Sequence, residues 1–167
     1  ILNTFGKVDI LINGAGGNDP KATTFDEYFN KETVEANEKK HFFNMDIEGF
    51  NGVFGLNFTG TLLPTQIFAK DMIGRPGCSI LNISSMSAFN PLTKIPAYSA
   101  AKAAINNFTK WMAVHFAKEG IRVNALAPGF FATEQNKALL FKADGSLTDR
   151  SHKIISSTPM GRFGEPE

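Results

Sequence analysis

Tyr98 and Lys102 stand four residues apart in the run Tyr98-Ser99-Ala100-Ala101-Lys102. On a helix that spacing puts both side chains on one face, one turn apart. An ammonium beside a phenol favours the phenolate and draws a tyrosine pKa down from about 10. A tyrosine tuned in this way exchanges a proton with an alcohol or carbonyl oxygen near neutral pH. Ser85, upstream at the end of a β-rich run, offers a hydroxyl to the same oxygen. Tyr and Lys at this spacing are also common on ordinary helix surfaces, so the pair gains meaning only from its surroundings. A serine-hydrolase reading of Ser85 fails for want of a Gly-x-Ser-x-Gly elbow. His41, His115 and His152 are scattered and form no ligand-spaced pair, and no metal site is expected. His115, among Trp111, Met112 and Phe116, reads as a packed or rim residue.

The elements that must position these groups alternate between strand and helix. Val8 to Ile12 reads as a strand buried on both faces, ending at the glycine-rich turn Asn13-Gly14-Ala15-Gly16-Gly17. Residues 25–51 are charged and aromatic, with helical spacing in patches such as Phe25, Tyr28 and Phe29. Gly52 to Ile73 reads as a long helix with apolar positions at Val53, Leu56, Leu63, Ile67, Phe68 and Met72. Cys78 to Ile83 is a second strand, Ala97 to Glu119 a second long helix, and Ile121 to Leu126 a third strand after the capping Gly120. The remainder reads as helical pieces broken by Asp144-Gly145 and Pro159. This alternation predicts βαβ units and a parallel sheet. Ligands in such sheets bind beyond the carboxyl ends of the strands, so the loops at Asn13–Gly17, Ser84-Ser85 and Pro128-Gly129 are expected to meet at one edge.

The chain has 167 residues, 43% of them hydrophobic, enough for one domain with a core of its own. Its 17 basic and 16 acidic residues leave a net charge of +1, which argues against a nucleic-acid-coating surface. No apolar run is long enough for a membrane helix. Cys78 is the single cysteine, so an internal disulfide is excluded and a cytoplasmic, reducing setting is expected. Phe42-Phe43 and Phe130-Phe131 read as core or lid residues. Ile1 to Gly6 looks like the last turn of a helix and Gly164 to Glu167 like the start of one, so the sequence reads as an internal piece of a longer chain.

Asn13-Gly14-Ala15-Gly16, Asn57, Ser85, Tyr98, Lys102 and Pro128-Gly129 occur in the order and context of the short-chain dehydrogenase/reductase family. Ile80-Leu81-Asn82-Ile83-Ser84-Ser85 resembles its strand-to-serine signature, Tyr98 and Lys102 match its Tyr-x-x-x-Lys motif, and Ile121 to Gly129 resembles the strand and loop that follow. The resemblance covers nearly the whole chain. It implies a Rossmann-like doubly wound parallel α/β sheet, here without the N-terminal βαβ region and the last strand. Residues 1–167 are then one partial NAD(P)-binding catalytic domain, with an insertion at about 26–52. The implied chemistry is hydride transfer between NAD or NADP and a secondary alcohol or ketone.

In that resemblance Tyr98 is the general acid or base, Lys102 holds the nicotinamide ribose, and Ser85 orients the substrate oxygen. Asn57 anchors a water-mediated proton relay. Asn13, Gly14, Ala15 and Gly16 support the central sheet and pass close to the adenosine ribose, and Pro128, Gly129, Phe131 and Thr133 meet the carboxamide side of the nicotinamide. The family's usual second asparagine is Gly14 here. The phosphate-binding turn and the residue that selects NAD over NADP are absent from this sequence. The 44-residue step from Asn13 to Asn57 and the run Gly16 to Thr24 are similar to the mannonate oxidoreductase, or fructuronate reductase, subgroup. Gluconate-type or 3-oxoacyl reductases share the same catalytic set, and a non-catalytic dinucleotide-binding regulator is the reading from another class. Lys21 or Lys94 could pair a substrate carboxylate, although a solvated surface role fits either. In this family the helices carrying Asn57 and Tyr98 often form a dimer or tetramer face, which nominates Phe54, Phe58, Phe108 and Trp111 as interface residues.

Overall fold

A computed structural model describes residues 2–134 and 136–166. The chain divides into two compact units, Ile1–Ala127 and Pro128–Glu167. In the first unit, a short helix α1 (Leu2–Phe5) leads to β1 (Ile10–Asn13), α2 (Lys31–Ala36) and α3 (Ile47–Phe54). A π turn over Gly55–Thr59 joins α3 directly to α4 (Gly60–Met72), followed by β2 (Ser79–Ile83), α5 (Pro96–His115) and β3 (Arg122–Leu126). The strands form one parallel sheet in the order β1-β2-β3, with Leu11 beside Ile80 and Ile80 beside Val123. This is the parallel α/β arrangement expected from the alternating pattern, and it is Rossmann-like as the family resemblance implies.

The sheet packs its helices on the face that carries Leu11, Ile80 and Val123. There Ala69 and Met72 of α4 and Met112 of α5 close a core with Cys78, Ile80, Ile121 and Val123. The next residues along that face are polar. Asn13 Nδ2 donates to Thr65 Oγ1 and to Asn82 Oδ1, both at 2.9 Å, and Asn82 Nδ2 donates to Thr109 Oγ1 at 2.8 Å. The two threonines pass their own protons to Thr61 and Ile105 carbonyls. All four side chains are buried, so one continuous hydrogen-bonded line ties α4, β1, β2 and α5 together.

Several expectations are corrected here. Ile10 and Ile12 are 66% and 61% exposed, so β1 is covered on one face and not on both. The reason is that α4 and α5 pack on the same side. The long helix begins at Ile47 rather than Gly52, because Asp46 accepts Glu48 N–H and caps it. Its inward stripe is Val53, Asn57, Thr61, Thr65, Ala69 and Met72, while Leu56, Leu63 and Ile67 turn outward. Phe25, Tyr28 and Phe29 are not helical, since the cap at Asn30 starts α2 only at Lys31. Phe42 and Phe43 are not core residues; both are exposed on a short 3-10 turn.

In the second unit, α6 (Lys137–Leu140) and α7 (Asp149–Ser156) are linked by the Phe141–Leu147 bridge and by Ser151 Oγ donating to the Leu140 carbonyl. Gly164, expected at a helix start, instead pairs with Phe131, and the Phe131 ring occupies the space where a side chain at 164 would stand. Ile1 and Glu167, expected in terminal helical turns, lie outside the described residues.

Candidate active site

Tyr98 and Lys102 lie one turn apart on α5, as their spacing requires. Pro96 starts this helix at its first turn, where a missing N–H costs no hydrogen bond. Tyr98 is half-buried against the cluster of Ala22, Val53, Ala97 and Ala101, on which Phe50 and Phe54 also pack. Lys102 is 2% exposed. Its Nζ sits 5.6 Å from the centre of the Tyr98 ring and donates to the Ile83 carbonyl at 2.8 Å. Burial holds the Lys102 ammonium below the ordinary lysine range, because the charged form loses hydration.

Ser85 follows β2 in extended backbone and begins a 3-10 turn over Met86–Ala88. Its Oγ accepts from Ser87 N–H at 3.2 Å and is paired with Ser87 Oγ at 3.0 Å. The Ile83 carbonyl that holds Lys102 is two residues before Ser85. The end of β2 therefore carries the serine and anchors the lysine.

Asn57 is fully buried in the π turn. The turn closes through Gly60 N–H donating to the Gly55 carbonyl, one residue wider than an α turn, and such insertions often mark functional positions. Asn57 Nδ2 donates to the carbonyls of Gly17 and Val53, and Asn57 Oδ1 accepts Gly17 N–H. The glycine-rich turn after β1 is thereby pinned to the helix. A Cβ at Gly16 would come within 2.7 Å of Asn57 Oδ1 and 3.0 Å of Lys102 Nζ, so only glycine fits there. Gly14 has no such constraint; its nearest neighbour would be an Ile83 methylene at 4.0 Å.

The structure brings Asn57, Gly16 and Lys102 together, and places Lys102 against Tyr98 and the strand end that leads to Ser85. Asn13 spends both its amide hydrogens on Thr65 and Asn82, which ties β1 to α4 and β2. Pro128, Gly129, Phe131 and Thr133 belong to the second unit, where Thr133 N–H donates to the Phe131 carbonyl. Lys94 lies 5.7 Å from the Phe25 ring centre, and Lys21 is exposed on a 3-10 turn. His115 is exposed and stacked on Trp111 at 4.6 Å between ring centres, as a rim residue should be. Sequence reasoning does not single out Ser87 or Gly17. The serine run from 84 to 87 was the available signal for the first, because a serine two residues before a backbone N–H readily caps a turn.

Residues 1–143 match the family described as short chain dehydrogenase. An uncharacterized oxidoreductase of Haemophilus influenzae is 61% identical over 167 residues, which is 100% of this chain and 58% of that protein. A 2-dehydro-3-deoxy-D-gluconate 5-dehydrogenase of Dickeya dadantii is 34% identical over 98% of this chain and 55% of its own length. The chain thus spans less than two thirds of these relatives. A crystal structure of a Haemophilus protein, provisionally assigned as a D-mannonate oxidoreductase and holding bound NAD, superposes with a TM-score of 0.91. It is 61% identical, and the match covers 99% of this chain and 58% of that one.

Proposed function

Because the chain belongs to the short chain dehydrogenase family, we propose that it transfers a hydride between NAD or NADP and a secondary alcohol or ketone, with a sugar acid such as fructuronate or mannonate as substrate. The observation that carries this reading is the Lys102 ammonium, buried between the Tyr98 ring, the Ile83 carbonyl and the turn at Gly16. An ammonium has three hydrogens, and among the described residues only one of them, donated to the Ile83 carbonyl, is used. The two left over suit the hydroxyls of a ribose. Lys102 and Tyr98 would hold the nicotinamide ribose, and the backbone from Asn13 through Gly14 and Ala15 to Gly16 would pass the adenosine side. Pro128, Gly129, Phe131 and Thr133 are assigned to the carboxamide side by the family resemblance alone.

When bound, the nicotinamide supplies the hydride in reduction and accepts it in oxidation. Tyr98 Oη delivers a proton to the substrate oxygen in the first direction and removes it in the second. Ser85 hydrogen-bonds the same oxygen. The Lys102 ammonium lies beside the Tyr98 ring, and Asn57 holds the Gly16-Gly17 turn next to it and anchors the return of protons from water. The sugar-acid choice is supported by the provisional assignment of the Haemophilus structure and by the Dickeya relative's name. The insertion at about 26–52 is assigned to the same catalytic domain, of which residues 1–167 form part.

The outward apolar stripe of Leu63 and Ile67, with Trp111 at 54% exposure, supports a homodimer or homotetramer built on α4 and α5. Phe108 stacks on Trp111 at 5.9 Å between ring centres and is itself met by Phe58 at 5.4 Å, whereas Phe54 stacks on Phe50. No helix among the described residues is long and apolar enough to cross a membrane. Cys78 is free and buried, which suits a cytoplasmic setting.

The test is a nicotinamide absorbance assay of the full chain with fructuronate and a panel of other keto-acids and ketones. Turnover with NADH or NADPH, fastest on a sugar acid, is expected. Absence of turnover across the panel would overturn the enzyme reading, and turnover confined to non-acidic ketones would overturn the substrate.

A further inference from the structure

The hydroxyl of Ser85 is held by a second serine. A serine oxygen has two lone pairs and one proton. Ser85 Oγ accepts Ser87 N–H at 3.2 Å, and Ser87 Oγ lies 3.0 Å away. Two hydroxyls at that distance leave open which one donates, and burial decides it. Ser87 is 1% exposed, and its hydroxyl has no other partner among the described residues. If it did not donate to Ser85, its proton would be stranded in a buried site. Ser85 is only half-buried and can direct its own proton outward.

We infer that Ser87 is a positioning residue, which fills both lone pairs of Ser85 and so fixes Ser85 as a hydrogen-bond donor to the substrate oxygen. The inference rests on the reading of Ser85 as the group that meets that oxygen. A hydroxyl that accepts two hydrogen bonds is polarised and becomes a better donor. With no lone pair free, Ser85 cannot accept the hydroxyl proton of an alcohol substrate. That proton is therefore aimed at Tyr98, and the substrate alcohol binds in one orientation of its O–H. The backbone bond alone does not achieve this, because it fills one lone pair and leaves the other to compete.

A double-mutant cycle tests the arrangement, with kcat and KM measured separately in both reaction directions on the full chain. Ser87→Ala is expected to lower kcat roughly fivefold to tenfold with little change in KM, the loss expected for one hydrogen bond. Ser87→Cys, close in size and with a weaker donor, is expected to fall between. Added to Ser85→Ala, the Ser87→Ala change is expected to cost nothing further. Wild-type kcat in Ser87→Ala, or a loss that repeats in full on the Ser85→Ala background, would overturn the inference while leaving Ser85's role intact. Wild-type turnover in Ser85→Ala itself would overturn the reading of Ser85, and the inference with it.

Discussion

Asn57 and Gly17, 40 residues apart in sequence, are joined by a pair of reciprocal hydrogen bonds: Asn57 Nδ2 donates to the Gly17 carbonyl at 2.7 Å, and Gly17 N–H donates to Asn57 Oδ1 at 3.3 Å. An amide side chain here plays the part of a neighbouring strand. It holds the turn after β1 against the π turn in the helix, with the Lys102 ammonium close by.

Gly16 sits inside that contact. Asn57 cannot swing away from an added methyl group, since it is fully buried and tied by three hydrogen bonds. Gly16→Ala is therefore expected to displace Asn57 and Lys102 together. The expected cost is about 1–3 kcal/mol of stability from overpacking, with a loss of turnover larger than that destabilisation explains. Thermal melting and steady-state kinetics on the same sample check this; unaltered kcat would show that the close approach is not needed. Gly14→Ala, with its nearest neighbour at 4.0 Å, is the matched control and is expected to be mild.

Lys102 is a buried charge whose pKa is lowered by lost hydration. The folded state then releases the lysine proton at lower pH than the unfolded state does. Between the lowered pKa and the ordinary value of 10.5 the unfolded chain binds more protons, so stability rises with pH through that window. Below the window the full penalty is present, and above it the penalty is gone. Lys102→Met is expected to raise the melting temperature of the cofactor-free protein at pH 7 while abolishing turnover. That advantage should shrink as the pH approaches 10.5. A variant destabilised by the same amount at every pH would contradict the desolvation argument.

The line Thr65–Asn13–Asn82–Thr109 crosses two helices and two strands. Asn82→Leu leaves one Asn13 amide hydrogen and one Thr109 lone pair without their partner while Thr65 and Ile105 still hold the two side chains, at an expected cost of about 2–3 kcal/mol. Urea unfolding measures it. A loss under about 0.5 kcal/mol would mean that the line is dispensable to the sheet.

Trp111 and its stacked neighbours belong to the proposed subunit interface. Trp111→Glu is expected to shift the sedimentation of the full chain from dimer or tetramer toward monomer, because a desolvated carboxylate opposes association. An unchanged sedimentation coefficient would place the interface elsewhere.

Tyr98 and Lys102 were legible because a four-residue spacing on a helix is a local fact. The strands were legible to within two residues for the same reason: Ser79–Ile83 and Arg122–Leu126 are short β-rich runs bounded by glycine. Contacts across long separations were not. No spacing rule joins Gly17 to Asn57, and none announces that Asn13 and Asn82 face each other in register. Their pairing changes the middle of the expected helix face, although Val53 and Met72 at its ends stay inward. The strands present amides to α4, so Thr61 and Thr65 turn inward and Leu63 and Ile67 turn out. Hydrophobic periodicity alone turns Leu63 and Ile67 toward the core. The start of that helix is hidden because Gly49 and Gly52 fall in its first two turns, and glycine weakens a helical reading.

The most direct measurement is the rate of sugar-acid carbonyl reduction by the full chain and by its Tyr98→Phe variant, with the melting temperature of each recorded. Tyr98→Phe keeps the ring against the cluster of Ala22, Val53, Ala97 and Ala101 and removes only the phenolic hydroxyl. A fall in kcat of about 10²- to 10⁴-fold with an unchanged melting temperature is expected if Tyr98 is the proton donor. A variant that reduces the substrate within about twofold of the wild-type rate would contradict a role worth that much.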